Sequence, residues 1–345
     1  MNVPPKTALV ILNYNGKAYL EKFLPSIIQY NPAGVEIIIG DNASTDESIP
    51  FVKKFYPLIR IISLNKNYGY AEGYNQTLKQ VDADYYFLLN SDVELKESWH
   101  PLIDFMDSNP DAAACQPIIN SQSNPTHFEH AGAAGGYIDS LGYPFCKGRI
   151  LDFIEENKGQ YHQTSEIFWA TGAALMVRSK VFHEVGAFDG DFFAHMEEID
   201  WCWRAKNKGW KIFACPDVIV YHVGGATLSY NSPRKVLLNF RNNLSMIIKN
   251  QSTGRLWYVL PSRFVLDTIA AIKFLTEKNM GAFIAVFKAY RETFGQLSTL
   301  IKKRKQIKNI AFHNKPDDHG VLHGSILWQF YLLKRKTFNL LKGIS

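Results

Sequence analysis

An α/β fold built on a mostly parallel sheet is predicted for this chain, and three features predict it. Apolar runs of strand length alternate with segments whose apolar residues recur at helical spacing. Each of the first four runs ends on a polar or glycine-containing turn. The composition also allows it, because 345 residues with 46% hydrophobic and 20% charged side chains suffice for one large α/β domain and a smaller unit.

The first strand is expected over Ala8–Leu12, leaving the core at Asn13-Tyr14-Asn15-Gly16. Leu20, Phe23, Leu24, Ile27 and Ile28 then mark one face of a helix from about Tyr19 to Tyr30. Val35–Ile39 is the second strand, ending at Gly40-Asp41-Asn42, with Ser44 or Thr45 placed to cap a helix through Phe55. Ile59–Leu64 is the third, ending at Asn65-Lys66-Asn67-Tyr68-Gly69 before a helix over Tyr70–Lys79. The fourth, Tyr85–Leu89, reads YYFLL and runs into Asn90-Ser91-Asp92. So continuous an apolar run is the mark of a strand covered on both faces. Four such exits gather polar residues on one rim of the sheet, where open α/β folds keep their ligands.

From about Asp111 to Trp169 the signals weaken, with Gly135-Gly136, Pro144 and scattered aromatics suggesting strands and loops rather than long helices. Ala170–Val177 follows as a buried segment, then a helix from near Arg178 to before Gly186, and another over Glu197–Lys208 stopped by Gly209. Trp210–Ala214 and Val218–His222 are strand-like. Beyond Ser232 the chain turns helical, basic and apolar, which divides it into an α/β domain, 1–231, and a basic helical region, 232–345.

Several classes are excluded. The opening MNVPPKTALVILNYNG has no small-residue cleavage site, so no secretory signal is expected and the cytoplasm is the expected compartment. Cys115, Cys146, Cys202 and Cys215 lie scattered without CxxC spacing, which argues for reduced packing residues rather than zinc or disulfides. The net charge of +6 hides a division: residues 1–231 carry 18 Lys+Arg against 27 Asp+Glu, a balance of −9, and residues 232–345 carry 20 against 5, a balance of +15.

The rim residues carry the candidate chemistry. Asp41, at a strand end, can accept hydrogen bonds from a ribose or a base, or can merely shape a turn. NKNYGYAEGYN, residues 65–75, has Gly69 and Gly73 but no GxGxxG, so a dinucleotide fingerprint is absent although close approach of a diphosphate is allowed. Asp92 follows a run with no structural need for charge; Mg²⁺ or Mn²⁺ on a diphosphate needs only one or two protein carboxylates, and Asn90 can assist as a neutral ligand. A turn explains the tripeptide equally well. In FFAHMEEIDWCWRAKNKGW, Glu197, Asp200 and Arg204 share a helix face and Glu198 is turned away. Asp200 and Arg204 suit an ordinary surface pair, while Glu198 suits a general base or an acidic helix start. His222 closes the strand VIVYH, where an imidazole suits Mn²⁺.

Taken together, VILNYNG, GDNASTD, NKNYGYAEGYN, NSDVEL, TGAALMVRS, MEEIDWCWR and VIVYH, in this order from Lys6 to Gly225, resemble the family 2 glycosyltransferases. These are inverting enzymes of the nucleotide-diphospho-sugar transferase (type A, GT-A) fold. The resemblance implies that Asn13, Asn15 and Asp41 surround a nucleoside and that Asn67, Gly69 and Asn75 lie near the nucleotide. It implies that Asp92 is the last acid of the metal motif, with His222 completing coordination of Mg²⁺ or Mn²⁺, and that Glu198 is the base, Asp200 the acid two residues on and Glu197 the alternative base. Two positions depart from the family pattern. Asn90 stands where the first metal-motif Asp is usual, and Glu198 is one methylene longer than the usual Asp. The implied donor is a nucleoside-diphosphate sugar, and the implied acceptor a glycan or lipid-linked hydroxyl in bacterial cell-surface polysaccharide synthesis. Rival readings are a metal-dependent sugar-nucleotide hydrolase or nucleotidyltransferase, and a catalytically inactive sugar-nucleotide-binding module.

In the basic region, Val259–Leu275 is apolar enough to suggest a membrane span until Arg263, Asp267 and Lys273 are counted. A helix lying on the cytoplasmic face of an anionic membrane, or a homodimer contact, suits it better. Lys302–Lys305 and Lys334–Lys336, the latter near Trp328, Phe330 and Tyr331, repeat the basic and aromatic theme. No groove-reading motif accompanies the charge, so nucleic acid is not an expected partner.

Overall fold

The computed structural model describes residues 6–224, 232–310 and 318–345. The domain boundary expected at 231/232 and the end of the resemblance at Gly225 touch residues 225–231, outside the described residues.

The strands are β1 (Thr7–Asn13), β2 (Glu36–Asp41), β3 (Arg60–Ser63), β4 (Tyr85–Asn90), β5 (Val93–Leu95), β6 (Ala112–Ser121), β7 (Gly136–Asp139), β8 (Pro144–Cys146), β9 (Arg149–Ile150), β10 (Phe153–Ile154), β11 (Ser165–Ile167), β12 (Ala174–Arg178), β13 (Lys211–His222) and β14 (Val321–Leu322). The helices are α1 (Lys17–Gln29), α2 (Ser48–Phe55), α3 (Gly69–Leu78), α4 (His100–Ser108), α5 (Ser179–Glu184), α6 (Glu197–Asn207), α7 (Pro233–Asn250), α8 (Thr253–Thr276), α9 (Met280–Gly295) and α10 (Leu297–Ile310).

The main sheet runs β11-β13-β6-β12-β4-β1-β2-β3, with β5 on β13. β1 pairs in parallel with both β2 and β4, and β2 with β3. Alternation along these strands feeds two cores. Val10, Ile38 and Leu88 pack on one face, and Leu9, Ile11, Phe87 and Leu89 on the other, against Leu20, Leu24 and Trp99. Each such side chain contributes about 1.5–3 kcal/mol by burial. The register fixes the rim: Asn13 lies opposite Asp41, Leu12 opposite Asn90, and Asp41 opposite Ser63. β12 runs antiparallel to β4 and β6, and β5 pairs antiparallel with β13, setting Val93 beside His222.

Three expectations need correction. Neither Ser44 nor Thr45 caps α2, which starts at Ser48; the Ser44 hydroxyl instead accepts from the Asn13 side chain and the Asn15 backbone, both at 3.0 Å. The two strand-like runs before His222 are one strand, β13, with register shifts that let Cys215–Val218 bulge. Residues 111–169 hold strands and loops without a long helix, as expected, among them a long buried strand, β6, and most of a second sheet, β10-β9-β8-β7-β14. The partner β14 comes from the C-terminal end of the chain, so the region after Ser232 is not helical throughout.

Candidate active site

The β1 and β2 exits are stitched together by short polar side chains. Asn13 is fully buried and donates to Ser44 and Ser48, each at 3.0 Å. Asn15 adopts φ 51° and its Oδ1 accepts from the Thr45 amide at 2.7 Å, while Asp41 accepts from the Ser44 amide at 3.1 Å. Asn42, which the sequence reading passed over, donates to Asn67 at 3.1 Å and to the Gly69 carbonyl at 2.9 Å, and accepts from the Tyr68 amide at 2.9 Å. Three expected nucleotide residues, Asn13, Asn15 and Asn67, thus spend bonds on shaping adjacent loops. Asn75 faces elsewhere: its amide clamps the Phe188 backbone, donating at 2.9 Å and accepting at 3.1 Å.

Gly69 opens α3 with φ 76°, and a Cβ there would lie 2.5 Å from the Phe193 carbonyl oxygen. Its hydrogen atom lets α3 close on the loop before α6, where Phe193 accepts from the Tyr70 and Ala71 amides at 2.5 and 3.2 Å. That loop is strained. Phe193, His195 and Met196 all take positive φ, of 64°, 71° and 74°. The Asn242 side chain holds them, donating to the carbonyls of Phe192, Ala194 and His195 at 2.9, 2.9 and 2.8 Å.

The loop delivers Glu197 and Glu198 to the first turn of α6. Each has one buried carboxylate oxygen with no hydrogen-bond partner. Burial raises both acids, Glu197 well above the usual range with help from Glu198 and Asp200, and Glu198 to about 7. Asp200 is different. The pair expected with Arg204 forms at 2.9 Å, but inside the protein rather than on its surface. Asp200 also meets Lys249 at 2.9 Å and accepts from Asn250 at 2.8 Å, while Lys249 reaches Asp189 at 2.5 Å. These contacts join α6, α7 and the preceding loop.

β5 pairing on β13 brings Asp92 and His222 together, Oδ1 to Nε2 at 3.2 Å, with the Asn90 amide 3.4 Å from the same nitrogen. Glu129, absent from the sequence expectations, lies 3.3 Å from His222 Nδ1; the contact is an ion pair without hydrogen-bond alignment. Burial lowers the imidazole, but the Asp92 and Glu129 carboxylates outweigh it and raise His222 to about 10. Among the described residues no group of three His, Cys, Asp or Glu is arranged to hold a metal. The fit is to two ligands: adjacent donors on an octahedral ion, with bonds of about 2.1 Å, stand about 3.0 Å apart. Asp92 and His222 are spaced for that once the imidazole gives up its proton, and the Glu129 carboxylate lies behind the ring.

Residues 172 and 173 take one hydrogen bond from the β4 exit and one from α3. The Asn90 backbone N–H donates to the Ala173 carbonyl at 3.0 Å, and the Tyr70 hydroxyl to the Gly172 carbonyl at 2.6 Å. Burial, Tyr74 and then the charges of Glu197 and Glu198 raise the Tyr70 phenol well above its ordinary value.

Residues 8–186 match the model of glycosyl transferase family 2. An N-acetylglucosaminyl-diphospho-decaprenol L-rhamnosyltransferase of Mycobacterium tuberculosis is 25% identical over 284 residues, 77% of this chain and 90% of its own. A low-salt glycan biosynthesis hexosyltransferase of Haloferax volcanii is 24% identical over 282 residues, 79% of this chain and 86% of its own. Among solved structures, GalNAc-T7 with UDP, GalNAc and Mn²⁺ superposes with a TM-score of 0.57 at 12% identity, over 87% of this chain and 58% of that one. The mannosyltransferase of Pyrobaculum calidifontis with GDP-Man and Mn²⁺ gives 0.50 at 12% identity, over 91% and 89%. These likenesses carry the fold, and it is the type A fold that the motifs imply.

Proposed function

Because the chain belongs to glycosyl transferase family 2 and is a glycosyltransferase, we propose that it moves a sugar from a nucleoside diphosphate to a hydroxyl of a glycan or lipid-linked acceptor, with inversion, in cell-surface polysaccharide synthesis. The single observation that carries the mechanism is the unequal pair at the start of α6. Neighbouring acids whose environments separate their proton affinities divide the roles between them. Glu197 keeps its proton. Glu198, raised to about 7, is the member of the pair that can ionise near neutrality and accept a proton.

The acceptor oxygen attacks the anomeric carbon from the face opposite the diphosphate, the carbon–oxygen bond to the diphosphate breaks, and Glu198 receives the hydroxyl proton. One displacement inverts the configuration and leaves a nucleoside diphosphate. Asp92 and His222 would hold Mg²⁺ or Mn²⁺, which when bound neutralises charge on the leaving diphosphate. Glu129 keeps the His222 ring turned toward that position. Asp41 and the loops tied by Asn13, Asn15, Asn42 and Asn67 form the nucleoside side of the cleft, with Gly69 and Asn75 fixing α3 behind them.

The sugar-rhamnosyl and hexosyl chemistry named for the relatives supports a hexose or deoxyhexose donor. The purified chain, given a panel of sugar nucleotides with and without Mn²⁺, should release nucleoside diphosphate in a metal-dependent manner that rises with acceptor. Release indifferent to every acceptor would favour a hydrolase instead.

A further inference from the structure

Between Leu256 and Ile272 the only charged residues of α8 are Arg263 and Asp267, and both are turned into the protein, 2% and 1% exposed. Arg263 pairs with Asp267 at 3.2 Å and donates to the Asn243 side chain. Asp267 accepts from the Tyr143 and Tyr290 hydroxyls at 2.7 and 2.8 Å. The surface that α8 shows to solvent over this length is therefore uncharged. It consists of Trp257, 83% exposed, with Tyr258, Phe264, Val265, Ile269 and Ile272 all exposed. Exposed Arg255 lies before this face and exposed Lys273 after it; Lys273 has only loose partners, Glu277 at 3.8 Å and Asp152 at 4.0 Å.

Among the described residues no helix is long and apolar enough to cross a membrane. A helix with an aromatic and aliphatic face, cationic ends and an opposite face docked on protein lies along a lipid interface instead. We propose that the outer face of α8 docks the protein flat on an anionic bilayer, with Arg255 and Lys273 on lipid phosphates. The proposal deepens the reading of transfer to a lipid-linked acceptor, on which it rests, by naming the surface where that acceptor is met.

The charges choose the bilayer over a second copy of the chain. Two α8 helices paired about a twofold axis, parallel or antiparallel, would set cationic ends against cationic ends. Residues 232–345 as a whole carry 20 Lys+Arg against 5 Asp+Glu, which favours lipid phosphate in the same way. Lys302 and Lys305 of α10 are exposed, although Lys303 and Arg304 turn inward to Asp189 and to the Ile248 carbonyl. The inward face of α8 also reaches the site. Arg263 holds Asn243, whose amide donates to Gly142 at 2.9 Å and contacts Met196, the residue before Glu197.

Flotation of the full chain with phosphatidylcholine vesicles, with and without phosphatidylglycerol, tests the proposal. The native chain should float with the anionic vesicles at low salt and release at high salt. A Phe264→Ser/Ile269→Ser chain with an unchanged melting temperature should partition about tenfold or more weakly. Absence of flotation by the native chain, or flotation unaffected by the double substitution, would overturn it. So would a dimer that the two substitutions dissociate while vesicles bind neither form. The measurement contains no sugar nucleotide, so its failure is distinct from failure of the transfer reading, which the donor panel reports separately.

Discussion

The side-chain amide of Asn242 donates to the carbonyl oxygen of His195 at 2.8 Å, tying helix α7 to a positive-φ residue two positions before Glu197. Its bonds to Phe192 and Ala194 complete a bracket around the loop that aims α6. Replacing Asn242 with Ala frees three carbonyls and lets the strained loop relax, moving the acids by a fraction of their reach. Such displacement costs about 10- to 100-fold in kcat. Steady-state kinetics at saturating donor should show that loss in kcat.

Glu198 opposes stability in the pH range where it works. Its carboxyl has an ordinary value of 4.5 and is raised to about 7 by burial in the fold, so the native state binds the proton more tightly than the unfolded chain. The stability linked to that proton is fully present below about 4.5 and lost as pH rises through about 7. Glu198→Gln should therefore raise the melting temperature by a few degrees at pH 8 and change it little near pH 4.5. Thermal scans at the two pH values check the sign.

Glu129 stands behind His222, and its effect should be on metal affinity. Glu129→Gln is expected to weaken Mn²⁺ binding in the presence of nucleoside diphosphate by about 10- to 100-fold. Asp92→Ala, which removes a ligand outright, should weaken it further. Calorimetric titration with Mn²⁺ gives both numbers, and chelation of the native enzyme should abolish turnover until Mn²⁺ or Mg²⁺ is restored.

Lys249 is buried between Asp189 and Asp200 at 2.5 and 2.9 Å. Lys249→Ala removes one of two cationic partners from each carboxylate, Asp200 keeping Arg204 and Asp189 keeping Lys303, a loss of about 1–3 kcal/mol. Chemical denaturation should show it as a lowered midpoint.

The parts of this arrangement that were legible in the chain are those written in local pattern. Four apolar runs with polar exits place β1 to β4, and the exits of β1, β2 and β4 do share a rim because parallel register sets Asn13 beside Asp41 and Leu12 beside Asn90. Asp92 and His222, 130 positions apart in the chain, meet only through the β5–β13 pairing. Glu129 follows no strand or helix signal, since it sits in a loop held by tertiary contacts. Asn242 did leave a trace: Asn242-Asn243 interrupts the buried face of an otherwise amphipathic helix, and buried amides require partners. What such partners are depends on which loop folds against them, and spacing along the chain does not carry that. Asp200–Arg204 shows the same limit, since i,i+4 spacing predicts the pair but not its burial under α7.

Acceptor-dependent transfer by the Glu198→Gln chain, measured beside the native one with saturating donor and Mn²⁺ from pH 5 to 9, tests the central claim most directly. The native rate should climb through about pH 7 and level off, and the variant should lose about 100-fold or more with that rise gone. A variant that transfers sugar within twofold of the native rate, on the same pH profile, would contradict the assignment of the base.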